Sequence, residues 1–268
     1  MRNTLSGLAT PIGIIGGMGP HAHLDFEKYL LGTAEHDQDY PSYVLVNASY
    51  VADRTTAYHA TKAGQLLSQA DNPLYGLRGA VITLLRAGCQ KICMVCNTAH
   101  LWLSHLKEEF PYVEFISIID TSVQALKKLG AEEVILLATE GTIRSGLYSN
   151  ALSAAGIVTH IPSIEYQIAI NEGIYGDPSQ HIGGVKTGDI QAANTRFTRV
   201  AYAMLNEIAQ RKHKSVQEVI ASKRVYLGFF CTEIGVAIDD PTLRAIAVDS
   251  TEVLAAAMRQ LALENKES

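Results

Sequence analysis

Two cysteines sit in settings that suit proton chemistry. Cys96 follows the apolar run Lys91-Ile92-Cys93-Met94-Val95 and precedes Asn97-Thr98-Ala99-His100 and an amphipathic stretch. That pattern is a strand running into a helix, and open α/β sheets gather ligands beyond the carboxyl ends of their strands. A helix start there offers unpaired N–H donors and a partial positive charge. Such a field lowers a thiol pKa from about 8.5 and favours thiolate. A lone cysteine is more often a buried apolar residue, but Cys231 changes the balance. It stands in Phe229-Phe230-Cys231-Thr232-Glu233, the same local setting in the second half of the chain. Cysteines at matching positions of a repeat would face each other across a cleft. Facing thiols suit removal of a proton from one face of a carbon and delivery to the other. One must be thiolate and the other thiol, and the pair swaps states with each turnover.

Other motifs carry less. Cys93 and Cys96 are three apart in a strand and so point to opposite faces, which disfavours a shared zinc or a disulfide. Cys89 and Cys93 read as structural. Cys96 with His100 would make a hydrolase pair, but no third orienting group is evident. The run Gly16-Gly17-Met18-Gly19-Pro20 follows the first strand but fails the dinucleotide register, because Ala22 stands at the third position. It reads as a tight turn, with or without a small ligand against its backbone. Arg54, in Asp53-Arg54-Thr55, could clamp a carboxylate bidentately or serve as a surface ion-pair residue. Lys186 lies in a Gly-rich polar stretch, residues 171–189, that reads as a long loop. Loops of that length are often functional, although a loop lysine is usually solvated.

The elements that must position these residues alternate short apolar runs with longer helical stretches, which is an α/β pattern with parallel strands. Strands are expected at residues 12–15, 43–47, 91–95 and 114–119, then at 133–138, 157–161, 225–230 and 245–248. The two sets form a weak internal repeat. The fold class expected is α/β with two pseudo-symmetric lobes, each a mainly parallel four-stranded sheet flanked by helices. The first lobe would hold residues 1–117 plus about 250–268, and the second 118–249, with the active site between them. The last helix, with Leu254, Met258 and Leu261, would return to the first lobe.

Composition narrows the partners. The 268 residues are 47% hydrophobic and 18% charged, which excludes a disordered or collagen-like chain. The net charge is −5, and the only basic cluster, Arg211-Lys212-His213-Lys214, is short and isolated, so no nucleic-acid partner is expected. No apolar stretch reaches the ~18 residues of a membrane span. The first ten residues lack the apolar core of a signal peptide. Four cysteines are too few for a disulfide framework, so a cytoplasmic location is expected.

In order, the chain shows Gly16-Gly17-Met18-Gly19-Pro20, Asp53-Arg54-Thr55, Cys96-Asn97-Thr98-Ala99-His100 and Thr139-Glu140-Gly141-Thr142 with Ser145-Gly146-Leu147-Tyr148. Ile174-Tyr175, Val185-Lys186-Thr187-Gly188 and Cys231-Thr232-Glu233 follow. With this ordered set the chain resembles the cofactor-independent aspartate/glutamate racemase family over nearly its whole length, and is nearest to its aspartate racemases. The resemblance implies interconversion of L- and D-aspartate with no pyridoxal phosphate and no metal. It implies a small amino-acid substrate and a homodimer. Cys96 and Cys231 would be the acid/base pair. Asn97, Thr98 and Thr232 would hold the α-carboxylate and orient the amino group. Arg54 and Lys186 would bind the side-chain carboxylate, and Met18 would line the pocket. The alternatives are a glutamate or broader racemase, a hydantoin racemase, maleate isomerase or decarboxylase, or a non-catalytic amino-acid sensor. Two departures stand out. His23 follows Ala22 where many relatives have Thr, and residues 177–184 look like an insertion able to displace Lys186.

Overall fold

The computed structural model describes residues 10–267; residues 1–9 and 268, including the start of the expected first lobe, lie outside the described residues. Strands β1 (Ile12–Gly16), β2 (Tyr43–Asn47), β3 (Lys91–Met94) and β4 (Glu114–Ile116) form one sheet in the order β2-β1-β3-β4. Strands β5 (Glu133–Leu137), β6 (Val158–His160), β7 (Val225–Phe229) and β8 (Ala247–Asp249) form the other in the order β6-β5-β7-β8. Every pairing is parallel. The two sheets therefore share one strand order, as the repeat predicts. The central strands β1 and β7 are buried along their whole length, which is why their sequences are continuously apolar rather than alternating.

Helices cover both faces. α1 (Pro20–Leu31), α2 (Arg54–Lys62), α3 (Pro73–Arg86) and α4 (Leu103–Glu109) belong to the first sheet. α5 (Ile118–Lys128) leads into the second. That sheet carries α6 (Glu140–Ser145), α7 (Leu147–Ala154), α8 (Ile164–Tyr175), α9 (Ile190–Arg211), α10 (Val216–Ala221), α11 (Thr232–Ala237) and α12 (Pro241–Arg244). The last helix, α13 (Ser250–Glu267), packs against both α1 and α5, with Leu254 and Met258 fully buried.

Strand alternation decides which core each residue joins. Val134 and Leu136 face a shared core that also holds Ile12, Ile14 and Cys93 of the first sheet. Ile135 and Leu137 face the opposite way, into the packing of α8 and α9. One apolar core thus spans both sheets and fixes the cleft between their strand ends.

Several expected boundaries shift for local reasons. Residues 118 and 119 are helical rather than part of β4, because Ser117 Oγ accepts the Asp120 N–H at 3.1 Å and caps α5. Residues 245 and 246 are not strand, because Asp240 caps α12 through the N–H groups of Thr242 and Leu243. Residues 171–175 complete α8, and the remainder to 189 is ordered into two short 3-10 turns, Pro178–Gln180 and Val185–Thr187. An antiparallel bridge between Asp177 and Ile182 closes the intervening insertion on itself.

The glycine turn after β1 has φ +84° at Gly17. A Cβ there would collide with the Asn47 side chain and lie 2.7 Å from the Ala48 nitrogen. Gly17→Ala is therefore expected to cost roughly 1–3 kcal/mol in a urea melt, and an unchanged midpoint would contradict the strained turn. His23 explains itself at this point. Its Nδ1 accepts the Gly17 N–H at 2.9 Å, so it props the turn from behind.

Candidate active site

Cys96 lies two residues beyond β3 and Cys231 two residues beyond β7, the equivalent strands of the two sheets. Both line one cavity, together with Met18, Arg54, Asn97, Thr98, Lys186 and Thr232, so the structure brings all eight candidate residues together. Thr139, Tyr175 and Glu233 complete the walls. Only about 10 Å³ is left for the centre of a water-sized sphere, barely room for one water. In this state the cleft is too narrow for an amino acid, which enters only after it widens.

The surroundings of the two sulfurs differ. Cys231 precedes α11, and its Sγ donates to Glu233 Oε2 at 2.9 Å. Thr232 Oγ1 donates to the same oxygen at 3.0 Å. Burial pushes the Cys231 pKa well above its ordinary value, and the neighbouring Glu233 charge adds to that. The other carboxylate oxygen, Glu233 Oε1, is buried without a hydrogen-bond partner. Lys186 Nζ stands 4.0 Å from it and 4.5 Å from the centre of the Tyr175 ring.

Cys96 has a cation for a neighbour. Arg54 opens α2 behind the N-cap Asp53, and its guanidinium donates to the carbonyls of Met18 at 2.8 Å and of Val51 and Ala52 at 3.2 Å. Burial opposes the Arg54 charge, but the nearby Cys96 sulfur and Asp53 outweigh it and raise the pKa. A guanidinium at one sulfur and a carboxylate at the other make the ends of the cleft electrostatically unlike.

The insertion does not carry Lys186 away. The 3-10 turn that holds it packs against α8 and α11, with Val185 fully buried and Thr187 Oγ1 accepting the Gly184 N–H at 2.8 Å. Asn97 is at the cleft wall, yet its amide points beneath it. Oδ1 accepts from Tyr148 and Nδ2 donates to Ser250 Oγ at 3.0 Å. The Thr98 hydroxyl meets those of Thr139 at 2.9 Å and Thr142 at 3.0 Å, a buried triangle across the seam of the lobes.

The helix after Cys96 starts as a 3-10 turn, Thr98–Trp102, and becomes α-helical only at Leu103. His100 is part of the scaffold. Its Nε2 accepts the Ile118 N–H at 3.1 Å, which leaves Nδ1 to donate to the Cys96 carbonyl at 3.0 Å. Burial pushes its pKa down to about 4, so the neutral ring ties Cys96 to the start of α5. Burial alone raises Cys89 to about 11 and also raises Cys93, as fits inert core thiols.

The structure adds Thr139, Tyr175 and Glu233 to the candidates read from sequence. All three fall inside the ordered motifs. An acidic residue directly before the apolar Ile234 was the one sign that Glu233 would be buried. Tyr175 also bridges the seam, its hydroxyl 3.2 Å from Thr55 Oγ1.

Two parallel α/β lobes of like order, with paired thiols and cations in the cleft between them, define the class of racemases with this double-lobed fold. The chain belongs to the Asp/Glu/Hydantoin racemase family, whose sequence model matches residues 15–211. Cys231 lies beyond that span, so its place rests on the repeat and the cavity. The aspartate racemase of Picrophilus torridus superposes with a TM-score of 0.72 and 29% identity, covering 97% of this chain and 100% of that one. An aspartate racemase homologue of Pyrococcus horikoshii OT3, 22% identical, shares the fold with a TM-score of 0.63 over 94% of this chain and 99% of that one. The broad specificity amino-acid racemase RacX of Bacillus subtilis (strain 168) is 25% identical over 170 residues, 60% of this chain and 68% of RacX. A glutamate racemase of Lysinibacillus sphaericus (strain C3-41) is 36% identical over 80 residues, 29% of this chain and 30% of that one. No helix among the described residues is long and apolar enough to cross a membrane.

Proposed function

We propose that this chain interconverts L- and D-aspartate by two-thiol proton transfer without pyridoxal phosphate. The observation that carries it is the meeting of Cys96, Cys231, Arg54 and Lys186 in one closed cleft. A buried guanidinium and a half-buried ammonium suit a substrate with a second carboxylate. Thr98 and Thr232, each next to a sulfur, would hold the α-carboxylate and orient the ammonium group.

With the resting proton on Cys231, Cys96 acts as the first base. Its thiolate takes the α-proton and the electron pair stays on Cα, spread into the carboxylate. Cys231 then gives its proton to the opposite face. Cys96 ends as thiol and Cys231 as thiolate, so atoms and charge balance. A Cα–H is a far weaker acid than a thiol of pKa near 8.5, and fixed charges around the carbanion must make up the difference. A cleft without water strengthens those charges.

The direct test is L-aspartate with purified protein in D2O, under reductant and without added pyridoxal phosphate. Convergence on an equal mixture with α-deuterium in the product is the expected result. Absence of both D isomer and exchange would remove aspartate. Glutamate is the second substrate to try, given the 36% identity to a glutamate racemase over 80 residues.

Lys186→Met should weaken recognition of the side-chain carboxylate most, and it also removes a charge that lowers the Cys231 pKa. The ammonium faces the Glu233 carboxylate and the Tyr175 ring. A charge-assisted hydrogen bond contributes about 1.5–3 kcal/mol, so kcat/KM for aspartate should fall about 10- to 100-fold. Equal losses for alanine and aspartate would take Lys186 out of the side-chain site.

A further inference from the structure

Tyr148 lies outside the cleft and yet touches the neighbours of both sulfurs. It sits on α7, with its side chain essentially inaccessible to solvent. Its hydroxyl donates to Asn97 Oδ1 at 2.5 Å, beside Cys96. Its ring stacks on Phe230, beside Cys231, with centroids 3.7 Å apart and planes 1° from parallel. A second route closes the loop, because Asn97 Nδ2 donates to Ser250 Oγ, which donates to the Phe229 carbonyl at 2.8 Å. The 3.3 Å approach to Ser122 Oγ is the weaker contact, since the Ser122 proton is already given to the Ile118 carbonyl.

The brace is stiff. Burial raises the phenol pKa, so the hydroxyl remains a donor. The Phe230 ring lies over Gly228, where a Cβ would sit 2.6 Å from the ring's Cζ. No other residue at 228 leaves the ring where it is.

We propose that Tyr148 is a positioning residue for the two-base reaction, holding Cys96 and Cys231 at their working separation by bracing Asn97 against Phe230. The inference rests on the racemase reading above. Its physical basis is the short life of the carbanion. The second sulfur must deliver its proton before the first proton returns, so both must stay within reach of one carbon. Misplacing a reacting group by 1 Å costs about 10²-fold.

Tyr148→Phe keeps the stacked ring and removes the hydroxyl, and Phe230→Leu breaks the stack from the other end. For each, kcat with aspartate should fall about 10- to 100-fold while KM stays close to wild type, since no substrate contact is altered. A loss of folded enzyme would lower kcat in the same way, so a second readout is needed. The isotope effect on kcat is taken between α-deuterated aspartate in D2O and ordinary aspartate in water. It does not depend on how much enzyme is active. In enzymes whose sites close over the substrate, opening commonly shares rate limitation with chemistry, and longer proton flights shift that limitation to chemistry. The combined isotope effect should therefore rise in both variants. Ser122→Ala, which removes the weaker contact and the Ser122 bond to the Ile118 carbonyl but leaves the Tyr148–Asn97 bond and the stacked ring, should match wild type.

Unchanged kcat, or a lower kcat with an unchanged isotope effect, overturns the proposal. So does an equal loss in Ser122→Ala. If wild-type protein racemises neither aspartate nor glutamate, the racemase reading falls and the inference with it. If wild type is active and the Tyr148→Phe and Phe230→Leu variants match it, only the inference falls.

Discussion

Cys96→Ala and Cys231→Ala are each expected to lower racemisation by 10³-fold or more. Each leaves one sulfur in the cleft, and one sulfur serves one face of the carbon. Inversion needs both faces, so neither half-site rescues the other. Any residual α-deuterium exchange should be confined to one enantiomer, and to opposite enantiomers in the two variants. Which variant exchanges L-aspartate then shows which sulfur faces the L hydrogen. Both thiols are buried, at 6% and 5% exposure, but each is small. Melting temperatures should move by only a few degrees, so a loss of activity is readable as chemistry. Chiral chromatography combined with mass analysis of the α-position checks all of this in one experiment. Racemisation within tenfold of wild type in either variant would end the two-base assignment.

Glu233→Gln has the second largest expected effect. The carboxylate accepts from both the Cys231 thiol and the Thr232 hydroxyl, and one of its oxygens lacks a partner. A buried negative charge at that distance disfavours a second one on sulfur. Glutamine keeps the shape and an acceptor oxygen but removes the charge. The Cys231 pKa should fall, since burial would then act without the added repulsion. Alkylation of Cys231 by iodoacetamide should accordingly set in at lower pH than in wild type. The wild-type advantage of holding the proton on Cys231 would be lost, and turnover in the direction that starts from Cys96 should drop about 10²-fold. Because the two enantiomers are equal in free energy, kcat/KM falls equally in the reverse direction, and any asymmetry shows only as matched changes in kcat and KM. An alkylation profile that does not move toward lower pH would show that Glu233 does not govern the Cys231 proton.

The framework of the molecule was legible because it follows from local patterns. Eight apolar runs and a repeated strand–cysteine–helix motif give two sheets of one order. Most of the cavity residues were legible as motifs, since they follow a strand end or a glycine turn. What stayed hidden depends on contacts between distant parts of the chain. The Asn97 amide could not be seen to turn from the cleft, because its partners, Tyr148 and Ser250, lie 51 and 153 positions away. Arg54 taken alone reads more readily as a surface ion-pair residue, and only the fold places three carbonyls around it. The insertion looked able to displace Lys186 because the Asp177–Ile182 bridge that folds it away has no signature in composition. Short-range misses had a different origin. At Ser117 and Asp240 a capping side chain overrode an apolar run that otherwise reads as strand.

The tightness of the cleft has a consequence for the history of each molecule. On the two-thiol reading, one turnover leaves the proton on the opposite sulfur from where it began. While the lobes are shut there is barely space for a water to carry that proton back. The unliganded protein must then exist in two mirror-related proton isomers, one fresh from making D and the other from making L. Glu233 and Arg54 make these isomers unequal in energy. Each molecule thus keeps a memory of the last enantiomer it released until it relaxes, and at saturating substrate that relaxation becomes a step of the cycle in its own right.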